Sequence, residues 1–135
     1  MQTRHLVGVA LAAGLVSGCA TDGTVFRIAA KPHECKGGCD VPTGWYWGPP
    51  DRTEVVDGGG TSISWTIHGF GEFAPLGIVF ADNKGPKSGR PVFTDCALSA
   101  SRKQFTCMNS GEVGDYKYTV HYLWRLPIDP WVMNR

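Results

Sequence analysis

The stretch SISWTIH, residues 62–68, decides how the rest of the chain is read. Ile63, Trp65 and Ile67 alternate with Ser62, Ser64, Thr66 and His68. A period of two places the apolar side chains on one face of an extended strand and the polar ones on the other. A half-buried strand needs partners of its own kind, and the sequence offers them. Tyr116, Tyr118, Val120, Tyr122 and Trp124 alternate with Lys117, Thr119, His121 and Leu123. Residues 73–81 bring Ile78 and Phe80, with Pro75 marking an edge strand or a late start. Residues 25–30 (VFRIAA) read as a first strand, whereas residues 31–50, with prolines at 32, 42, 49 and 50, read as irregular. Asp57-Gly58-Gly59-Gly60 is a turn and residues 82–90 (DNKGPKSGR) a polar loop. Gly (18) and Pro (9) make up about one residue in five of the 135, and no long amphipathic helical period occurs. The expectation is an all-β fold: a small antiparallel sandwich of six or seven short strands.

The cysteines support a stapled version of that fold. Cys35, Cys39, Cys96 and Cys107 are an even set that allows three pairings in an exported chain. Locality favours Cys35–Cys39 and Cys96–Cys107. Geometry supports the second: residues 92–98 and 104–108 both look like strands, and a two-residue turn at Ser101-Arg102 sets Cys96 opposite Cys107 and Leu98 opposite Phe105. Ser-Arg is a poor pair for such a turn, so a longer loop in the same register is the alternative.

The N-terminus carries an address. Arg4 precedes an uncharged run of eleven residues, LVGVALAAGLV at 6–16. As a helix it would extend about 16 Å, half the roughly 30 Å hydrocarbon core of a bilayer. That length suits a cleaved signal segment rather than a membrane span. Val16-Ser17-Gly18-Cys19 then resembles the lipobox of bacterial lipoproteins. The resemblance implies cleavage after residue 18, lipid on the thiol of Cys19 and on the new amino group, and a permanent membrane anchor. Residues 1–18 would be the signal peptide, 19–24 a lipidated tether and 25–135 the domain. Ala20 lacks the acidic character that resembles an inner-membrane retention signal, so the expected site is the outer membrane, facing the periplasm. The 117 residues left after cleavage are one domain's worth, with twelve Lys and Arg against twelve Asp and Glu. No basic stripe with interleaved aromatics appears, so nucleic acid is not an expected partner.

Gly114-Asp115-Tyr116-Lys117-Tyr118-Thr119-Val120 resembles the closing strand of immunoglobulin-like and cupredoxin-like bacterial domains. The cupredoxin resemblance implies a copper site of two His, a Cys and a Met. The sequence departs from it: no histidine follows Cys107-Met108 within ten residues, Cys107 is better used in the hairpin disulfide, and His68 and His121 fall on polar strand faces. His33, Cys35 and Cys39 could ligate zinc or copper if the thiols stayed reduced. An oxidising envelope favours a small disulfide loop instead, and CxxxC is not the CxxC of thiol oxidoreductases. No Gly-x-Ser-x-Gly elbow, HExxH pair or phosphate-cradling glycine loop occurs, so neither catalysis nor a cofactor is expected.

The segment that invites a partner is Gly44-Trp45-Tyr46-Trp47-Gly48-Pro49-Pro50. Three adjacent aromatics on extended backbone point to alternate sides and resist common burial. Exposed aromatics anchor proteins or sugar rings, while the plainer reading has Trp45 and Trp47 capping one end of the core. Residues 128–132 (IDPWV) either form a docking tail or pack back onto the domain. The expected function is a lipid-anchored envelope protein with a binding or structural role, touching an envelope protein or a glycan. A metal-handling or thiol-redox protein using His33, Cys35 and Cys39 is the alternative. A third reading, an inhibitor of an envelope enzyme, would need a protruding loop.

Overall fold

The computed structural model describes residues 32–135. The expected signal peptide, Cys19, the tether and the strand expected at 25–30 lie outside the described residues. Nine strands form among the described residues, and no helix does: β1 (His33–Lys36), β2 (Cys39–Pro42), β3 (Arg52–Val56), β4 (Thr61–Thr66), β5 (Phe73–Phe80), β6 (Phe93–Leu98), β7 (Gln104–Asn109), β8 (Gly114–Tyr122) and β9 (Trp131–Asn134). They build a five-stranded sheet, β1-β3-β9-β8-β5, packed on a four-stranded sheet, β2-β4-β7-β6. The domain is an all-β sandwich carrying two disulfides.

Period-two patterning becomes burial. Ile63, Trp65 and Ile67 are buried, and so are Tyr116, Tyr118, Val120 and Tyr122 opposite them. Trp65 from β4 and Tyr118 from β8 meet between the sheets, where the indole Nε1 donates to the tyrosine hydroxyl at 3.0 Å. Burying both rings is favourable because each polar atom finds a partner. Burial pushes the Tyr118 hydroxyl well above the usual tyrosine range. Phe80 and Phe93 stack face to face at 4.2 Å between centroids.

Antiparallel pairing holds for β4–β7, β6–β7, β5–β8 and β8–β9, but β1–β3, β2–β4 and β3–β9 run parallel. Both sheets are therefore mixed. The cause is the chain path: only β6–β7 and β8–β9 are hairpins, and every other connection crosses between sheets. The crossing β1→β2 lies beside the crossing β3→β4 in the same sense, which forces two parallel pairs at the sheet edges. Residues 31–50, expected to be irregular, thus contribute two four-residue strands, β1 and β2. Their sequences are too short and proline-flanked to show a period. Residues 128–132 are no free tail either: β9 sits inside the five-stranded sheet between β3 and β8.

Both expected disulfides form. Cys96–Cys107 ties β6 to β7 within one sheet, and Cys35–Cys39 joins β1 of one sheet to β2 of the other. The expected register holds near the turn, where Leu98 pairs with Phe105 and Ala97 with Thr106. It slips by one beyond, where Thr94 pairs with Met108. A bulge absorbs the extra residue, with Asp95 at φ 52°. The turn is longer than two residues. Ser99 N donates to Gln104 O and Arg102 N to Ser99 O, with Arg102 at φ 59°.

Candidate functional site

Four connections converge at one end of the sandwich: residues 43–48 after β2, 67–72 between β4 and β5, 99–103 between β6 and β7, and 123–127 after β8. The first is pinched shut at its base. Gly44 N donates to Gly48 O at 3.2 Å and Gly48 N to Gly44 O at 2.7 Å. Gly48 needs glycine, at φ 73° with a Cβ falling 2.0 Å from Ile128, and a Cβ on Gly44 would come within 2.3 Å of the exposed Trp47 ring and displace it. The pinch leaves Trp45, Tyr46 and Trp47 at the tip with no room to turn inward together.

They divide as neighbours on a tight loop must. Trp45 is half-buried: its ring rests on Gly71, and its Nε1 donates to Leu123 O at 3.1 Å. Arg125 donates to the Trp45 carbonyl, while its guanidinium lies 5.2 Å from the centroid of the Tyr122 ring. Tyr46 and Trp47 stand in solvent, so only Trp45 serves the capping role also considered for Trp47. Phe70, between Gly69 and Gly71, joins them. Its ring is edge-on to Trp45 at 5.2 Å and stacked with Tyr46 at 6.2 Å.

Trp124 completes the group against expectation. The alternation of residues 116–124 assigns it to the buried face, yet the strand stops at Tyr122 and Trp124 turns outward at φ 64°. A tryptophan in the left-handed region is uncommon and costs backbone energy. Exposure defines the site: Tyr46 65%, Trp47 79%, Phe70 69%, Trp124 89% and Leu126 83%. Phe70 had a signal in its flanking glycines, as in the Trp45–Trp47 segment. Trp124 and Leu126 had none, since periodicity does not say where a strand ends.

Between these groups lies an open cavity of about 580 Å³, lined by Trp45, Phe70, Trp124, Glu72 and Lys103 with their loop neighbours. Of its two charged side chains, Glu72 makes no side-chain bond among the described residues and Lys103 is committed. The Lys103 ammonium donates to Gly69 O and Gly71 O at 2.5 Å each, tying the β4–β5 loop to the β6–β7 turn. Below the cavity, Tyr122 has a buried hydroxyl without a hydrogen-bond partner among the described residues, and burial pushes its ionisation well above the usual range.

His33, Cys35 and Cys39 do come together, with donor atoms all within 4.8 Å of one another. The two sulfurs are bonded to each other, so the site holds no thiolate. One imidazole remains, its Nε2 3.2 Å from Asp40 O. The copper pattern fails at its central ligand, because Cys107 is bonded to Cys96. His68 is exposed beyond the end of β4.

Fold and site define a two-sheet sandwich with an aromatic loop cluster at one end. No protein-family model matches the chain, and no curated protein matches it in sequence.

Proposed function

We propose that this chain is a lipid-anchored protein of the bacterial cell envelope, held by Cys19 at the outer membrane, with a binding role and no catalytic step. Its contact face is the aromatic end of the sandwich. The observation that carries this reading is the group Tyr46, Trp47, Phe70, Trp124 and Leu126, all largely exposed and presented by three loops. Contiguous exposed apolar surface marks interaction sites in proteins that otherwise bury such groups. The lipid anchor is supported by the order of charge, apolar run and lipobox in residues 1–19. Photo-crosslinking in living cells tests the reading, with a benzophenone side chain placed at position 47, 124 or, as control, 57. Adducts at 47 and 124 but not at 57, on a chain that takes up radiolabelled palmitate at Cys19, are expected. Equal labelling at all three positions would sink the binding face, and no palmitate would sink the anchor.

The cluster of His33, Cys35 and Cys39 favours a second reading, in which reduction of the Cys35–Cys39 bond frees two thiolates beside an imidazole for zinc or copper(I). Thiol titration of envelope-derived protein decides it. No free thiol leaves the disulfide structural, whereas two free thiols with bound metal would replace the first reading.

A further inference from the structure

The sandwich is polarised along its strands. The aromatic end carries the five exposed apolar side chains together with Arg102, Lys103 and Arg125 against a single carboxylate, Glu72, in the four loops that form it. The opposite end is built from residues 57–60, 82–90 and 110–113, which are mostly glycine, serine and charged side chains, with one exposed apolar residue, Val113. A face for sugar hydroxyls needs free donors and acceptors beside its rings. Here three of the nearby donors are engaged within the domain: Lys103 by Gly69 and Gly71, Trp45 Nε1 by Leu123, Arg125 by Trp45. What stands outward is four aromatic rings and a leucine, the tyrosine and the two tryptophans each carrying a polar atom unbonded among the described residues. Beside them are the Glu72 carboxylate and Arg102, the one cation there whose guanidinium makes no bond among the described residues. That is the composition of a surface seated at a membrane–water interface.

The chain path allows it. β1 runs parallel to β3 and β9 and antiparallel to β8, so it runs away from the aromatic end, with its start in the half of the sheet nearer the polar end. His33 lies in the same cross-strand row as Thr53, Val132 and Tyr116. Tyr116 is six residues, about 20 Å, from Tyr122 at the aromatic end. The thirteen Cα–Cα steps from Cys19 to Pro32 can reach about 45 Å when extended. A lipid on Cys19 is therefore tethered closely enough for the aromatic end to rest on the bilayer that holds it.

Resting on the lipid-anchored reading, we infer that the aromatic end is a membrane-docking face. Tyr46, Trp47, Phe70, Trp124 and Leu126 seat at the boundary of headgroups and acyl chains, and Arg102 faces anionic headgroups, with the internally bonded Lys103 and Arg125 adding positive charge behind it. The glycine-pinched loop and the left-handed Trp124 hold the rings outward before the bilayer is met, so little ordering is left for docking.

The test uses mature protein from its native membrane, reconstituted into vesicles of phosphatidylethanolamine and phosphatidylglycerol with or without bromine on the upper acyl chains. Flotation reports the anchor, and tryptophan quenching by bromine reports docking. The expected result is flotation with quenching, loss of that quenching in W47F/W124F, and marked weakening in F70S/L126S, which keeps both reporter rings. Flotation without quenching overturns docking and leaves the anchored reading standing. Failure to float overturns the anchor and docking together. Emission that ignores brominated lipid but shifts with soluble peptidoglycan fragments assigns the face to a glycan and overturns docking.

Discussion

The side-chain amides of Asn109 and Asn134 meet head to tail between the two sheets, Nδ2 of each donating to Oδ1 of the other at 2.9 Å. Asn109 ends β7 and Asn134 ends β9, so the pair joins the sheets at the end opposite the aromatic loops. Both side chains are buried, and two further bonds hold them: Gly111 N donates to Asn109 Oδ1, and Asn134 Nδ2 also donates to Glu112 O. Removing one partner strands the other without water. Asn134→Leu should therefore cost about 2 kcal/mol, and N109L/N134L much less than the sum of the single changes. Urea unfolding of the four proteins in a double-mutant cycle checks this, and additive effects would mean that the pair is not coupled.

The two disulfides differ in what they hold. Cys96–Cys107 closes a separation of eleven residues and Cys35–Cys39 one of four. On the chain-entropy account, removal costs about 3 kcal/mol for the longer loop and about 2 kcal/mol for the shorter. The shorter one, however, is the covalent tie between sheets at their β1 and β2 edges. C35A/C39A should therefore loosen β1 and β2 locally, seen as faster amide exchange there, while C96A/C107A lowers the global unfolding midpoint. Uniform exchange across the domain in C35A/C39A would contradict the local role.

How much of this was legible follows from how each strand is buried. β4 and β8 announce themselves because one face packs and the other is wet, so side chains alternate. Pro75 marked an edge strand or a late start; β5 begins before it, at Phe73, and is an edge strand that pairs only with β8. β1, β2, β3 and β9 are four or five residues long; β1, β2 and β3 pair only with parallel partners distant in sequence, and β9 adds a parallel pairing with β3 to its hairpin with β8. No local pattern encodes that. The hairpin of β6 and β7 was legible down to the Leu98–Phe105 register, but the bulge at Asp95 was not, since one inserted residue leaves composition unchanged. At the site, glycines betrayed Trp45, Tyr46 and Trp47, while Trp124 was misassigned because alternation continues past the residue where pairing stops.

Glu112 ties the polar end together and makes it sensitive to acid. Its carboxylate accepts from Ser88 Oγ at 2.7 Å, Ser88 N at 2.8 Å and Lys87 N at 3.0 Å. The Ser88 hydroxyl and then the Ser88 amide hold its pKa below the ordinary glutamate value. A carboxylate with a depressed folded pKa contributes stability above its unfolded pKa and loses that contribution as pH falls through the folded one. Amide protection at Lys87 and Ser88 should thus be full at neutral pH and fall below about pH 4.5, the unshifted value. Glu112→Gln should remove the pH dependence of that protection. A wild-type protection factor that stays flat into acid would refute the clasp.

Two neighbouring glycines separate the cost of backbone shape from the cost of the tryptophan seat. Gly69 and Gly71 both lie in the left-handed region, at φ 89° and 99°. A Cβ on Gly69 would meet nothing within 4 Å, whereas one on Gly71 would fall 2.1 Å from Trp45 Cδ1. Gly69→Ala then carries only the conformational penalty, about 1 kcal/mol. Gly71→Ala carries that penalty and must also displace Trp45, breaking the Nε1 bond to Leu123 O, for about 3 kcal/mol in all. Because Trp45 is both the floor of the cavity and the edge-on support of Phe70, its displacement should disorder the exposed rings without touching them. Urea unfolding gives the two costs, and bromine quenching in vesicles gives the effect on the face. Equal destabilisation by the two alanines, or quenching unchanged in Gly71→Ala, would mean that Trp45 does not hold the aromatic end in place.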